Sequence, residues 1–273
     1  MDKPNIRKPA VAGQFYPSSP LELKRQIASF IDEKHIKKDA IACILPHAGY
    51  MYSGGVAVDV VSRINIKDKI ILLGPNHTGY GYEFSIMASG VWQTPLGDIK
   101  IDSRLADTIL KHSKYLKEDS LAHTFEHSLE VELPILQYFR PDFEIVPITI
   151  LSEEPDTLKE IGKEIATAIK DSRIENSTLI VASSDMTHYE PQAQAERKDK
   201  EAIDAILNLD EDKLIERIKR LNITMCGYAP VITMLSLAKG IGAKRAELIK
   251  YSTSADITGD TSSVVGYAGL TVY

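Results

Sequence analysis

Four short apolar runs separated by segments of helical period constrain this chain more than any other feature. The runs are IACIL at 41–45, IILL at 70–73, IVPITI at 145–150 and TLIVAS at 178–183, each bounded by Pro, Gly, Asn or Asp. Runs of that length are too short for helices and read as strands buried on both faces. Residues 21–31 (behind Ser18, Ser19 and Pro20), 56–64, 105–111, 135–139 and 158–169 carry the helical period between them. A parallel crossover needs a helix-sized connection and is nearly always right-handed. The alternation therefore predicts an α/β fold, with a mainly parallel or mixed central sheet and helices on both faces. Beyond residue 190, QAQAERKDKEAIDAILNL and EDKLIERIKRL read as exposed amphipathic helices, and 246–253 and 264–272 as closing strands. GVWQTPLGDIKID at 90–102 reads as a hairpin. With no Gly-, Ser- or Pro-rich linker, repeat or low-complexity tract, 1–273 reads as a single domain, a length that supports one large core.

Charge and cysteine usage narrow the function. Lys and Arg total 32 against 38 Asp and Glu, a net charge of -6 with the signs interspersed, which disfavours a nucleic-acid partner. Two cysteines cannot form a disulfide framework, and their scarcity points to the reducing cytoplasm. The N-terminal MDKPNIRKPAVAGQFYP is broken by three prolines and fits no signal peptide. No stretch reaches the ~18 apolar residues of a spanning helix, so no membrane partner is expected.

Reactive side chains fall at equivalent places. His47 follows the first run through Pro46, His77 follows the second through GPN, and Asp185 and His188 follow the fourth in SSDMTHYE. In open α/β sheets ligands bind beyond the C-terminal ends of the strands, where these residues would converge. Any one of them alone reads better as an isolated loop residue; their coincidence at three strand ends favours a site. Cys226 precedes an apolar segment that reads as a buried helix, whose dipole would favour the thiolate, a metal ligand and nucleophile. The competing reading is a small buried hydrophobe, and for Cys43, inside the first run, that reading prevails. HTFEH at 123–127 matches the H-x-x-E-H pattern of some metalloproteases, but only if a helix already runs through His123. Thr124 and Ser128 look like residues at a helix start, and Pro134 disrupts the helix hydrogen bonding beyond them, so the protease reading is set aside. G-x-S-x-G, G-x-x-x-x-G-K-[ST] and H-E-x-x-H are absent, and GIGAKR at 240–245 lacks the last Gly of a dinucleotide fingerprint. Phe15, Tyr16, Tyr50, Tyr52, Tyr80 and Tyr82 surround the predicted mouth, as rim packing or as a pocket for a flat or phenolic ligand.

The chain also resembles the Memo family, named for a mediator of receptor-driven cell motility and found across archaea and bacteria. The resemblance rests on RKPAVAGQFYP at 7–17, LPHAGYMYSGG at 45–55, LLGPNHTGYG at 72–81, TPLGDIKID at 94–102, EHSLEVELPILQY at 126–138, SSDMTHY at 183–189, MCGYAP at 225–230 and SVVGYAG at 263–269. It implies a fold similar to the class III extradiol dioxygenases. It also implies a metal site at His47, His77 and Cys226, with Asp185 and His188 beside it. Cys226 then stands where those dioxygenases have a carboxylate, a softer donor set suited to one divalent transition metal, Fe(II) foremost, or copper or zinc. Prokaryotic relatives look as if they work near a radical-SAM partner.

Three functions are compatible with these residues. The first is a metal-binding protein with redox or oxygenase-like chemistry. In it His188 acts as acid or base, Asp185 orients a ligand or His188, His127 and Tyr52 line the pocket, and Ser184 and Thr187 donate hydrogen bonds. The second is a non-catalytic binding module for a phosphotyrosine-type peptide or small anionic aromatic ligand. Metal-assisted hydrolysis is the third.

Overall fold

In the computed structural model, which describes residues 5–31 and 35–273, successive side chains of the central strands point into opposite cores. The chain opens with strand β1 (Ile6–Arg7), helix α1 (Pro20–Ser29), strand β2 (Ala42–Leu45), helix α2 (Tyr50–Ser62) and strand β3 (Lys69–Pro75). Strand β4 (Phe84–Ile86) and the pair β5 (Val91–Thr94) and β6 (Gly97–Ile101) precede helix α3 (Ser103–His112), strand β7 (Lys117–Glu118) and the single turn α4 (Leu121–Thr124). Helix α5 (Glu132–Phe139), strand β8 (Glu144–Ile150), helix α6 (Pro155–Ser172) and strand β9 (Thr178–Ser183) come next. The last stretch holds β10 (His188–Glu190), α7 (Gln192–Leu207), α8 (Glu211–Leu221), α9 (Tyr228–Gly240), β11 (Ala246–Thr253), α10 (Ala255–Thr258) and β12 (Val264–Val272). Residues 1–4, the start of the N-terminal segment that fits no signal peptide, lie outside the described residues.

One mixed sheet runs in the order β1-β5-β6-β8-β3-β9-β2-β12-β10, with β4 pairing β7 and β8, and β11 pairing β12. Its centre, β8-β3-β9-β2, is parallel, and β12 closes it antiparallel to β2. All four apolar runs are therefore central strands. The hairpin expected at 90–102 is β5 with β6, its tight end pairing Thr94 with Gly97, which turns at φ +131°.

Because side chains alternate along a strand, Ala42, Ile44, Ile71, Leu73, Ile180 and Ala182 enter one core with the apolar stripes of α6 and α9. Cys43, Leu45, Ile70, Leu72, Leu179 and Val181 enter the other, against α1, α2 and α5. Covering both faces is what a parallel sheet requires, and each Leu or Ile so buried contributes roughly 1.5–3 kcal/mol.

Helices α2, α5 and α6 start three or more residues earlier than their periodicity predicts. Helix α2 begins at Tyr50 and not near 56, and Gly54 inside it serves packing: a Cβ there would lie 2.8 Å from the Phe30 ring. Helix α5 begins at Glu132, so Pro134 sits in its first turn, where the missing N–H has no intrahelical partner to lose. The amphipathic α7 and α8 each bury one stripe, with Ile203 and Ile206 from the first and Leu214 and Ile218 from the second. No described helix is long and apolar enough to cross a membrane.

Candidate metal centre

Three adjacent parallel strands end side by side, and each delivers its reactive residue two positions later: His47 after β2, His77 after β3 and Asp185 after β9. His188 opens β10, and Cys226 arrives on the turn between α8 and α9. All five line one cavity of about 1150 Å³, together with His127, Tyr52, Phe15, Tyr189 and Tyr267. One ring nitrogen each from His47 and His77 and the Sγ of Cys226 lie within 4.8 Å of one another. His47 Nε2 is 3.3 Å from that sulfur. The His77 ring stacks on His127 at 4.7 Å, and Phe15 packs edge-on against His127 at 4.9 Å.

The imidazoles are held from behind. His47 Nδ1 lies 2.7 Å from Ser183 Oγ, and its backbone N–H donates to Asp185 Oδ1 at 2.8 Å. His77 Nδ1 lies 2.9 Å from Glu126 Oε1, while its backbone N–H donates to Glu126 Oε2. Glu126 Oε1 also receives the backbone N–H groups of His127 and Ser128, each at 2.9 Å. A partner on one ring nitrogen fixes the ring and leaves the other for a metal, so the donor set fits a single ion. His77, Glu126 and His127 also lie close enough to share an ion, but Glu126 already spends its oxygens on four N–H contacts.

Burial governs the charges. It pushes the His47 imidazole well below the usual histidine range, helped by His77, His127 and His188. It pushes the Cys226 thiol up, with Asp185 adding to the effect. The pair is thus a neutral thiol against a neutral imidazole. Burial therefore works against the thiolate that the dipole of the following helix would favour. Burial raises Asp185 to about 6 against the N–H groups of His47 and Ala48. Glu126 goes the other way: burial would raise it, but the His77 hydrogen bond and the N–H donors bring it down to about 2.

A depressed folded pKa means that Glu126 contributes stability above its ordinary value of 4.5, lost as pH falls through about 2. The contribution is on the order of 3 kcal/mol. Raised Asp185 has the opposite sign, its share being lost as pH rises towards 6. Acid titration of metal-free Glu126→Gln by circular dichroism should show a flatter loss of stability over that lower window. An unchanged acid limb would mean that Glu126 is not held in its charged form.

Some predicted roles move. Asp185 is hydrogen-bonded by the backbone N–H groups of His47 and Ala48 and makes no hydrogen bond to His188, which is oriented by Thr224: the His188 Nδ1 lies 2.9 Å from the Thr224 carbonyl. Ser184 is buried outside the cavity lining, donating to the Asp185 carbonyl and receiving the Gly227 N–H at 3.0 Å, so it fastens the Cys226 turn to β9. Thr187 is buried with its backbone N–H on Asp199 Oδ1, and it too stays out of the cavity. Tyr16 and Tyr50 are buried, with Tyr16 reaching the cavity wall, while Tyr80 and Tyr82 are exposed outside it. The H-x-x-E-H helix does not form: α4 ends at Thr124, and His123 lies buried against Trp92 at 5.7 Å, lowered to about 3 by burial and by Arg7. Glu126, Ser183, Thr224, Tyr189 and Tyr267 belong to the site although the sequence reading gave none of them a role there. The usable signal is the run of Glu126, Glu130 and Glu132 within an apolar stretch, which marks carboxylates turned inward.

A family model described as Memo-like protein matches residues 7–271. A MEMO1 family protein of Methanococcoides burtonii is 43% identical over 269 residues, covering 98% of this chain and 100% of that protein. One from Aquifex aeolicus is also 43% identical, over 97% of this chain and 98% of its own. Among solved structures, an uncharacterised Escherichia coli K12 protein aligns with a TM-score of 0.56 at 14% identity, covering 84% of this chain and 98% of that one, a likeness of fold.

Proposed function

This chain belongs to the Memo-like family, and on that footing we propose that His47, His77 and Cys226 hold one divalent transition-metal ion that serves redox or oxygenase-like chemistry. Fe(II) is the ion we favour because the proposed chemistry is oxygenase-like; on affinity alone two imidazoles and a thiolate suit copper or zinc as well. The observation that carries the reading is the convergence of three ligand atoms within 4.8 Å, with both imidazoles already oriented by hydrogen bonds on their far nitrogens. Such an ion supplies a Lewis acid and, as iron or copper, a centre that changes oxidation state. The chain's own residues do the rest. His188, fixed through Nδ1, has Nε2 free to take or give a proton in the cavity. Phe15, Tyr52, Tyr189 and Tyr267 offer ring faces and edges to a flat ligand. Cys43 and Cys226 are both free thiols, in keeping with a reducing cytoplasm.

Metal analysis of protein purified without chelator should find close to one ion per wild-type chain and almost none in His47→Ala or His77→Ala. Equal metal content in the three proteins would sink the reading. The cavity supports a second one, since about 1150 Å³ has room for a peptide side chain as well as a small substrate. Ligand affinity indifferent to chelation, with no dioxygen consumed on catechols, would favour that binding module.

A further inference from the structure

Two glutamates enter the core just behind the site, and their surroundings are opposite. Glu130 is fully buried and paired with Arg7, and its oxygens also receive the Tyr16 hydroxyl and the N–H groups of Ala10 at 2.7 Å and Val11 at 3.0 Å. Glu132, the first residue of α5, is as fully buried but meets no cation among the described residues. Its Oε1 lies 2.8 Å from Ser183 Oγ, and its Oε2 has no partner at all among them. The ionisable neighbours that feel it are Cys43, Tyr50 and Asp185, none of them positive. A carboxylate anion in that position would be a buried charge with a single hydrogen bond, one of the costliest arrangements a core can hold.

Proton counting at Ser183 gives the same answer independently. Its Oγ has three neighbours: the Ser128 carbonyl at 2.8 Å, Glu132 Oε1 at 2.8 Å and His47 Nδ1 at 2.7 Å. A hydroxyl gives one proton and receives two. The Ser128 carbonyl can only accept, so it takes the one proton that Ser183 has. The other two contacts are then attractive only if Glu132 and His47 both donate. We propose that Glu132 is a neutral carboxylic acid that donates to Ser183 and thereby fixes His47 as the Nδ1–H tautomer, with the Nε2 lone pair turned to the site.

Burial, reinforced by Asp185, raises the Glu132 carboxyl well above its usual range, in agreement. In metal-free protein the Nε2 lone pair then accepts the Cys226 S–H, whose sulfur is 3.3 Å away. Glu132 is a positioning residue: it acts on the imidazole through Ser183. Its consequence for metal affinity rests on the metal-binding reading, whereas the protonation and the tautomer do not.

The test uses full-length metal-free protein near neutral pH. Infrared difference spectra of wild type against Glu132→Gln should contain the carbonyl band of a protonated carboxyl, and nitrogen-15 shifts of labelled histidine should show His47 protonated at Nδ1 and bare at Nε2. Glu132→Gln, whose amide still donates to Ser183, should keep that tautomer; Glu132→Leu, which cannot donate, should give a mixed one. Metal affinity should hold in Glu132→Gln and fall roughly 10–100-fold in Glu132→Leu. A carboxylate band at Glu132, or an Nε2–H tautomer in wild type, overturns the proposal, and the wild-type spectra decide it even if Glu132→Leu fails to fold. Confirmed spectra with no metal bound to any variant would overturn the metal reading alone.

Discussion

Arg7→Met should lower the free energy of unfolding by about 3–5 kcal/mol, the range for removing one partner of a buried ion pair. Arg7 is 5% exposed in β1, and its guanidinium satisfies several buried acceptors at once. It pairs with Glu130, donates through Nε to the His123 carbonyl at 3.0 Å and through Nη2 to the Glu126 carbonyl, and lies 4.4 Å over the Trp92 ring. Met fills much of the volume but none of the fork geometry. Glu130 would be left charged in the core, and the carbonyls around Glu126 and His123 would lose their donors. Neutralising the orphan should repair much of the damage. In urea unfolding, Arg7→Met combined with Glu130→Gln should be more stable than Arg7→Met alone, and the double-mutant cycle should return a large coupling. A single-variant loss below about 1 kcal/mol would show that the pair is solvated and that the core tolerates the lone carboxylate.

That network also marks where sequence reading stops. The strands β2, β3, β8 and β9 were legible because apolar runs bounded by turn formers have few alternatives, and His47, His77 and Asp185 stand just past three of their ends. Cys226 lies on a turn with no such landmark, and its place beside His47 depends on α9 packing back towards the sheet. The residues that orient the ligands were not legible for a physical reason: their partners are remote. Glu130 finds Arg7 across 123 positions, and Glu132 finds Ser183 across 51. A glutamate in an apolar stretch is marked as turned inward, but it looks the same in sequence whether it will be one half of an ion pair or a neutral acid. Glu126 was hidden further by a local pattern that imitated a metal-binding helix, when the actual backbone there is a turn between α4 and α5. Tyr189 escaped because it takes φ +59° at the bulge between β10 and β12, an irregularity that no periodicity encodes.

Cys226→Ser is expected to reduce metal affinity by roughly 10²–10³-fold and to remove most of its pH dependence. Structural zinc sites bind with about 10–16 kcal/mol from four ligands, so one ligand is worth around 3–4 kcal/mol. The pH argument comes from the protonation states. Burial keeps the Cys226 thiol protonated in the metal-free site, whereas only thiolate coordinates, so each ion bound displaces one thiol proton. His47, pushed well below the usual range, is already neutral and releases none. Apparent affinity in wild type should therefore rise on the order of tenfold for each pH unit across the neutral range, weaker in acid and tighter in base. A serine hydroxyl in the same place has no proton that a divalent ion removes as readily, so the slope should collapse while the fold, which buries nearly the same volume, persists. Chelator competition at a series of neutral pH values reads both quantities, and proton release on metal addition in weak buffer gives the count directly. Parallel slopes in the two proteins would mean that the proton comes from another group and would take Cys226 out of the ligand set.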